Sequence, residues 1–435
     1  MAVLELYNDL REETLLLDWP VYVVRQWKPA AVRGESGSET LEIEIHGIDH
    51  SAVYAHASTL EVWLNDAAEA TDDGRVSPLW IRHTPTGRAQ RQARVRGGSL
   101  DTADYVGYTS HGCMLDALLV ITREQARGTE GTLPLTNVHG TDVQTGLTVD
   151  NAAEAALNNW VGIVGDDVEG DLPAPFRLVF QNTYNNDRRL AQIYYGLRHI
   201  STGPTHGAFL QDASSAVEGL DMYTDADANL DTVLRGAGAV VAQWQFASAA
   251  TRTWEGTWFA FVVGEFDADT EYWLETSLIE TELTETKALT PPVSAVAADH
   301  IIPLGTIELP PWPKVAPPAL PYLFDLVLKS DDNTAETTLD YVLFIPTDLG
   351  IRKIAYRAYN AVYQQYTVDD GINDEVAAHY TARAGSIVLG TGQRPKLVPG
   401  RDQRLYFVQI GDQGDVLKSR TMSVRVEYAA RFALL

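Results

Sequence analysis

The chain has 435 residues, room for two or more hydrophobic cores, and its 45% hydrophobic and 21% charged residues suit folded domains and exclude general disorder. Against 33 basic side chains stand 59 acidic ones, and the net charge of −26 repels both the phosphate backbone of nucleic acids and anionic membrane surfaces. Cys113 is the only cysteine, which excludes an intramolecular disulfide and every CxxC redox or metal motif, and no cofactor is expected.

The opening residues carry no basic leader pattern, and no run of about 18 apolar residues occurs, so neither export nor a membrane span is expected. Leu15 to Leu17 and Trp19 to Val24 read as β, rich in aromatic and branched side chains. Leu41 to His46 alternates apolar and polar, as a strand with one buried face requires. From Asp49, a suitable N-cap, the period changes: Val53, Ala57, Leu60, Leu64 and Ala67 fall on one helical face. The helix is expected to stop at Thr71 to Gly74, with strands resuming near 79–81 and 93–96. Residues 113–127 and 150–160 read as short helices, the second suiting a connection equally well.

The acid-, glycine- and proline-rich stretch from Gly165 to Pro175 suggests a domain boundary, dividing the chain into 1–168 and 169–435. Beyond it come β-like runs near 176–181, 192–200, 239–247, 257–264, 271–279, 322–328, 339–345, 404–410 and 421–428. So many short strands with few helices point to a β-sandwich. Leu339 to Ile345 is continuously apolar, as in a central strand, whereas Met422, Val424, Val426 and Tyr428 alternate with polar residues, as in a half-exposed one. The proline-dense segment 303–321 is expected to be an extended connection between strands of one sandwich.

Catalytic signatures are weak. Gly107 to Gly112 misses the GxSxG nucleophile elbow and reads as a turn, and no Walker loop or GxGxxG occurs. His46 and His50 have zinc-ligand chemistry, but one ends a strand and the other begins a helix, so they do not share a face as HExxH ligands must. Asp225, Asp227, Asn229 and Asp231 place oxygen ligands at alternate positions, as calcium loops do, yet Leu230 and Gly236 stand where such a loop needs glycine and glutamate. Glu255 and Glu265 as a glycosidase pair would need an unpredicted hairpin to meet. Trp244, Trp254, Trp258 and Trp273 are the best ligand candidates, since exposed indoles stack on sugar rings, although packing a sandwich core also uses them.

The order of Val24 to Pro29, then Glu39 to Asp49, then the helix through Leu60 to Leu64 resembles the N-terminal domain of siphophage distal tail and minor tail proteins. Gly170 to Leu178, Leu304 to Pro311, Leu339 to Pro346 and Val424 to Phe432 are similar to the β-sandwich part of the same proteins, which itself resembles carbohydrate-binding modules. The expected fold is therefore mainly β: an N-terminal split-barrel-like domain with one packed helix, followed by a jelly-roll-like β-sandwich. The resemblance implies a non-catalytic virion protein, made in the host cytoplasm, that forms a homo-oligomeric ring around the tail axis and contacts other tail proteins. The alternative is a protein that recognises a host surface glycan through its second domain.

Overall fold

The computed structural model describes every residue except 1–2, 104–105, 110–111, 143–144, 151–158, 184–189, 201–208, 213–214, 217, 225–231, 247–255, 281–282, 296–299, 310–322, 357–365, 373–377, 381–387 and 412–420. It is mainly β, with antiparallel sheets and one α-helix among the described residues. The chain divides into two compact units, the first comprising 1–131, 169–174 and 429–435, the second 132–168 and 175–428. This division departs from a single boundary at 168/169, because residues 132–168 supply strands to the second unit and the chain returns to the first at 169–174 and 429–435.

In the first unit the helix His50–Asp72 begins where the period changes: Asp49 caps it, accepting the Ala52 amide at 2.8 Å. It ends at Gly74, whose φ of 70° suits a glycine, and the Arg75 amide reaches back to the Ala70 carbonyl at 2.8 Å. Val53, Ala57, Leu60, Leu64 and Ala67 are buried as the spacing predicts, together with Trp63 and Ala70. The long strand Arg91–Thr102 changes partner along its length: it pairs with Leu79–Thr84 and, at Gln92, with Ala126–Thr132, then from Val95 with Gly112–Arg123, with a register shift at Val95/Gly97. Gly97 makes this bend possible: its φ is 147°, and a Cβ there would meet the Ala68 Cβ of the helix at 3.0 Å.

Residues 113–127 are not helical. Gly112–Arg123 is a strand burying Cys113, Leu115, Ala117, Leu119 and Ile121 at period two, and apolar Met114 and Leu118 on its other face are what blur that period in the sequence. The expected helix at 150–160 is not observed at its described ends, since Leu147–Asp150 and Trp160–Ile163 are strands; residues 151–158 lie outside the described residues.

A buried ion pair locks this unit. Glu39 and Arg123 side chains are fully buried, with Arg123 Nε donating to Glu39 Oε1 at 2.6 Å and Trp27 Nε1 donating to Oε2 at 2.9 Å. The rest of the guanidinium bonds the carbonyls of Glu124 at 2.8 Å and Ala30 at 3.1 Å. Nearby, the Val32 amide bonds the Ala433 carbonyl at 2.9 Å, so residues 429–435 are held in the first unit's core, where Leu435 is buried.

The second unit holds two β-sandwiches, one inserted into the other. The carrier sandwich sets Trp160–Ile163, Gln403–Gly411, Leu190–His199 and Ile351–Tyr356 in one sheet, against Leu147–Asp150, Phe176–Asn182, Tyr366–Asp370 and the Thr421–Tyr428 part of Thr421–Phe432. Asp369 joins its two sheets: the buried carboxylate accepts Tyr195 Oη at 2.6 Å and pairs with Arg352 at 3.0 Å and Arg394 at 2.9 Å.

Between Leu190–His199 and Ile351–Tyr356 the chain builds the inserted sandwich. One of its sheets runs Thr232–Gly236, Thr337–Pro346, Gly256–Phe266, Ile301–Leu309; the other runs Val240–Phe246, Leu323–Ser330, Glu271–Glu280, Leu283–Ala288. Apart from the hairpin at Glu271–Ala288, successive strands of this set alternate between the sheets, as in a jelly roll. Ile301–Leu309 and Leu323–Ser330 belong to one sandwich, as expected, but Pro303 lies within a strand: Ile301–Leu309 is an edge, where proline's missing donor is tolerated, and its register shifts beside Pro303.

Every residue of Thr337–Pro346 is buried, because this sheet is covered on both sides. Leu339, Val342 and Phe344 enter the inserted core, whereas Tyr341, Leu343 and Ile345 pack with Phe261 and Val263 against Tyr194, Tyr406 and Val408 of the carrier.

Replacing Arg123 with Met leaves the Glu39 carboxylate buried and uncompensated, and is expected to cost about 3–5 kcal/mol in chemical denaturation followed by a first-unit probe. The Glu39→Leu/Arg123→Met double variant is expected to recover most of that loss.

Candidate functional site

The four candidate tryptophans separate. Trp244 and Trp258 are buried among the core side chains of the inserted sandwich, and Trp254 lies outside the described residues. Trp273 is half-buried and faces the other way. On Glu271–Glu280, Tyr272 and Leu274 point into the core, so period two sends Trp273 and Glu275 to the outer face of the sheet. The neighbouring strand Leu323–Ser330 likewise buries Leu326 and Leu328 in the core and sends Asp325, Val327 and Lys329 to the outer face, where Asp325 and Val327 are nevertheless buried and Lys329 is half-buried. Its partner Val240–Phe246 presents Gln243 and Gln245.

These side chains form two bonded groups on the same face of the sheet. Trp273 and Lys329 are direct cross-strand partners. The indole Nε1 donates to Glu275 Oε1 at 2.8 Å, and the Lys329 ammonium pairs with Glu275 Oε2 at 3.0 Å. Gln243 Nε2 donates to Asp325 Oδ2 at 3.1 Å, while Asp325 Oδ1, buried, has no hydrogen-bond partner.

The two carboxylates are tuned in opposite directions. Burial works against ionisation of Glu275, but the hydrogen bonds from Trp273 and Lys329 and the Lys329 charge outweigh it and hold the group below its ordinary value. Burial raises Asp325, opposed only by the Gln243 hydrogen bond. A half-buried indole beside the Glu275–Lys329 ion pair offers a stacking surface with a donor and an acceptor next to it, the chemistry that a polyhydroxylated ring needs. Sequence reading found Trp273 but not Gln243, Glu275, Asp325 or Lys329; the signal was the polar positions interleaved with the apolar ones in 271–275 and 325–329.

The other candidates form no assembled site among the described residues. Asp225, Asp227, Asn229, Asp231 and Glu255 lie outside the described residues, so neither the calcium loop nor the carboxylate pair is placed. His46 Nε2 bonds Glu44 Oε2 at 2.9 Å, and His50 packs beside Tyr108 with ring centroids 5.3 Å apart. Among the described residues no group of three or more His, Cys, Asp or Glu is placed to hold a metal ion, and no helix is long and apolar enough to cross a membrane. Gly107–Thr109 pairs antiparallel with Gly112–Arg123, and Ser110 and His111, in the stretch read as a turn, lie outside the described residues.

The fold and these groups define a mainly β, multi-sandwich protein with an aromatic-polar outer face. No protein-family model matches the chain, and no curated protein does. Among solved structures it is similar to the N-terminal tandem CBM22 domain of Paenibacillus barcinonensis Xyn10C, at 9% identity and a TM-score of 0.23, covering 57% of this chain and 99% of that one. It is also similar to a protein described as secreted from Parabacteroides distasonis, at 10% identity and a TM-score of 0.17, covering 51% of this chain and 98% of that one.

A carboxyl raised by burial binds protons more tightly in the folded state, so its contribution to stability is lost as pH rises from the unfolded pKa through the folded one. Asp325→Asn is therefore expected to melt above the parent protein at pH 7, with the difference closing below about pH 4; thermal melts across pH check this.

Proposed function

We propose that this chain is a non-catalytic structural protein of a phage or prophage tail, which associates with copies of itself through its first unit. The observation carrying this reading is an exposed apolar patch around the turn that leads into the helix. Ile48 is 85% exposed, Tyr108 81%, Trp19 57% and Tyr54 52%. Trp19 packs on His46 at 5.3 Å between ring centroids, and Tyr108 on His50, which draws these side chains together around residues 46–50. Gly112 allows the approach, because a Cβ there would stand 2.2 Å from the Gly47 carbonyl oxygen. Large apolar side chains gathered on a highly charged protein favour a covered state, and a ring of identical copies covers them without any other partner. The net charge of −26 keeps such an assembling protein soluble before the ring closes.

Sedimentation velocity is expected to show a concentration-dependent oligomer that the Ile48→Asp/Tyr108→Asp variant converts to monomer without loss of β-sheet circular dichroism. A parent protein that stays monomeric at high concentration, or an oligomer indifferent to both substitutions, contradicts the reading.

A second reading, glycan recognition, is favoured by the outward-facing group of Trp273, Glu275 and Lys329. In it the inserted sandwich meets a host-surface carbohydrate, with the Trp273 ring as platform and the flanking polar groups setting orientation. Binding to a glycan array is expected to weaken about tenfold in Trp273→Ala, the scale of one aromatic stacking contact. Silence of the parent protein on the array, or equal binding by the variant, removes this reading.

A further inference from the structure

Trp80 lies on the strand Leu79–Thr84 between the core residues Leu79 and Ile81, so its side chain leaves the sheet on the side away from that core. It is nevertheless buried, and two guanidiniums lie over it: Arg94 at 4.1 Å and Arg127 at 4.4 Å from the ring centre. Its Nε1 donates to Asp9 Oδ2 at 2.6 Å. Arg431 stands near enough to Arg127 for the two charges to repel.

Ion pairing is missing where it should be easiest to find. In a chain with 59 acidic residues, no described carboxylate lies within 4.0 Å of the guanidinium nitrogens of Arg94, Arg127 or Arg431. Glu124 is taken by Arg96 at 3.2 Å, and Asp9 is taken by the indole. Glu130 acts on Arg127 only from beyond ion-pair distance. The Nε atoms of Arg127 and Arg431 are buried without a hydrogen-bond partner, and the one side-chain bond from Arg94 is to the Ser77 carbonyl. Burial first, and then the charge of Arg127, pushes Arg94 and Arg431 below the ordinary guanidinium value, against the pull of Glu124 on both and of Asp9 on Arg94; burial also lowers Arg127, against the pull of Glu130, Glu124 and Asp9. Crowded like charges with unfilled donors raise the free energy of the unit unless an anion joins them.

We propose that Arg94 and Arg127 beside Trp80 on the first unit, with Arg431 close to Arg127, form a binding site for an oxyanion, either a carboxylate or a phosphate-type group. Guanidinium forks match both, bonding two oxygens of one group in a plane. Two sources share this chemistry: a small free anion, and an acidic side chain of a second copy, whose surface is rich in carboxylates.

The test uses the full chain and inorganic phosphate. Thermal melts compare phosphate with chloride at equal ionic strength, and phosphate titrations and sedimentation are repeated on Arg127→Gln and Arg431→Gln. A melting temperature raised by phosphate over chloride, with apparent affinity falling at least tenfold in either variant, supports a site for a free anion. No phosphate effect, with either variant dissociating an oligomer that the parent forms, supports a carboxylate from a second copy. Equal melting in the two salts with unchanged sedimentation of both variants overturns the proposal, and so does a phosphate effect that both variants retain in full.

Discussion

Burial of one sheet on both faces is the constraint on which the second unit depends. Thr337–Pro346 and Gly256–Phe266 pack inward against the jelly-roll core and outward against the carrier sandwich. Burying a large apolar side chain contributes about 1.5–3 kcal/mol, and Phe261, Tyr341, Leu343 and Ile345 spend that contribution on joining two sandwiches instead of filling one. The inserted module is thereby fused to its carrier through a hydrophobic layer as well as through the chain. A flexible tether would leave Tyr341 and Leu343 facing water.

Polar groups then fix what apolar packing leaves free. In the carrier, Asp369 meets Tyr195, Arg352 and Arg394 between the sheets, and in the first unit Glu39 meets Arg123 and Trp27. Buried charges are tolerated at both places because each carboxylate has several donors, and in return they specify which strands face each other. Arg94 and Arg127 over Trp80 are the exception, since the same desolvation is present there with no described carboxylate at ion-pair distance. That asymmetry separates a structural ion pair from a place where something else binds.

Local pattern was legible wherever one physical period dominated. The helix face from Val53 to Ala67, its Asp49 cap, the alternation of Met422 to Tyr428 and the fully buried Leu339 to Ile345 could all be read directly, because each residue's environment follows from its own element. Gly112–Arg123 was not legible as a strand, because Met114 and Leu118 make its outer face apolar too. Pro303 hid an edge strand, where the sequence carries no mark distinguishing edge from centre. The nested course of the chain depends on pairings hundreds of residues apart, such as Phe176 with Tyr428, which no window of sequence contains. Of the candidate site, Trp273 was visible by residue type, but the exposure that separates it from Trp244 and Trp258 follows from which way each strand faces. The arginine cluster was invisible for the same reason, its members being 33 and 304 residues apart in the chain.

Self-association through the first unit, within a tail, is the central claim. Electron cryomicroscopy of native particles with this chain located in the map tests it most directly. The account predicts a closed ring of copies with Ile48, Tyr54 and Tyr108 covered at contacts made by the first unit. Particles that lack the chain, or that carry it as isolated copies with these side chains in solvent, would contradict it.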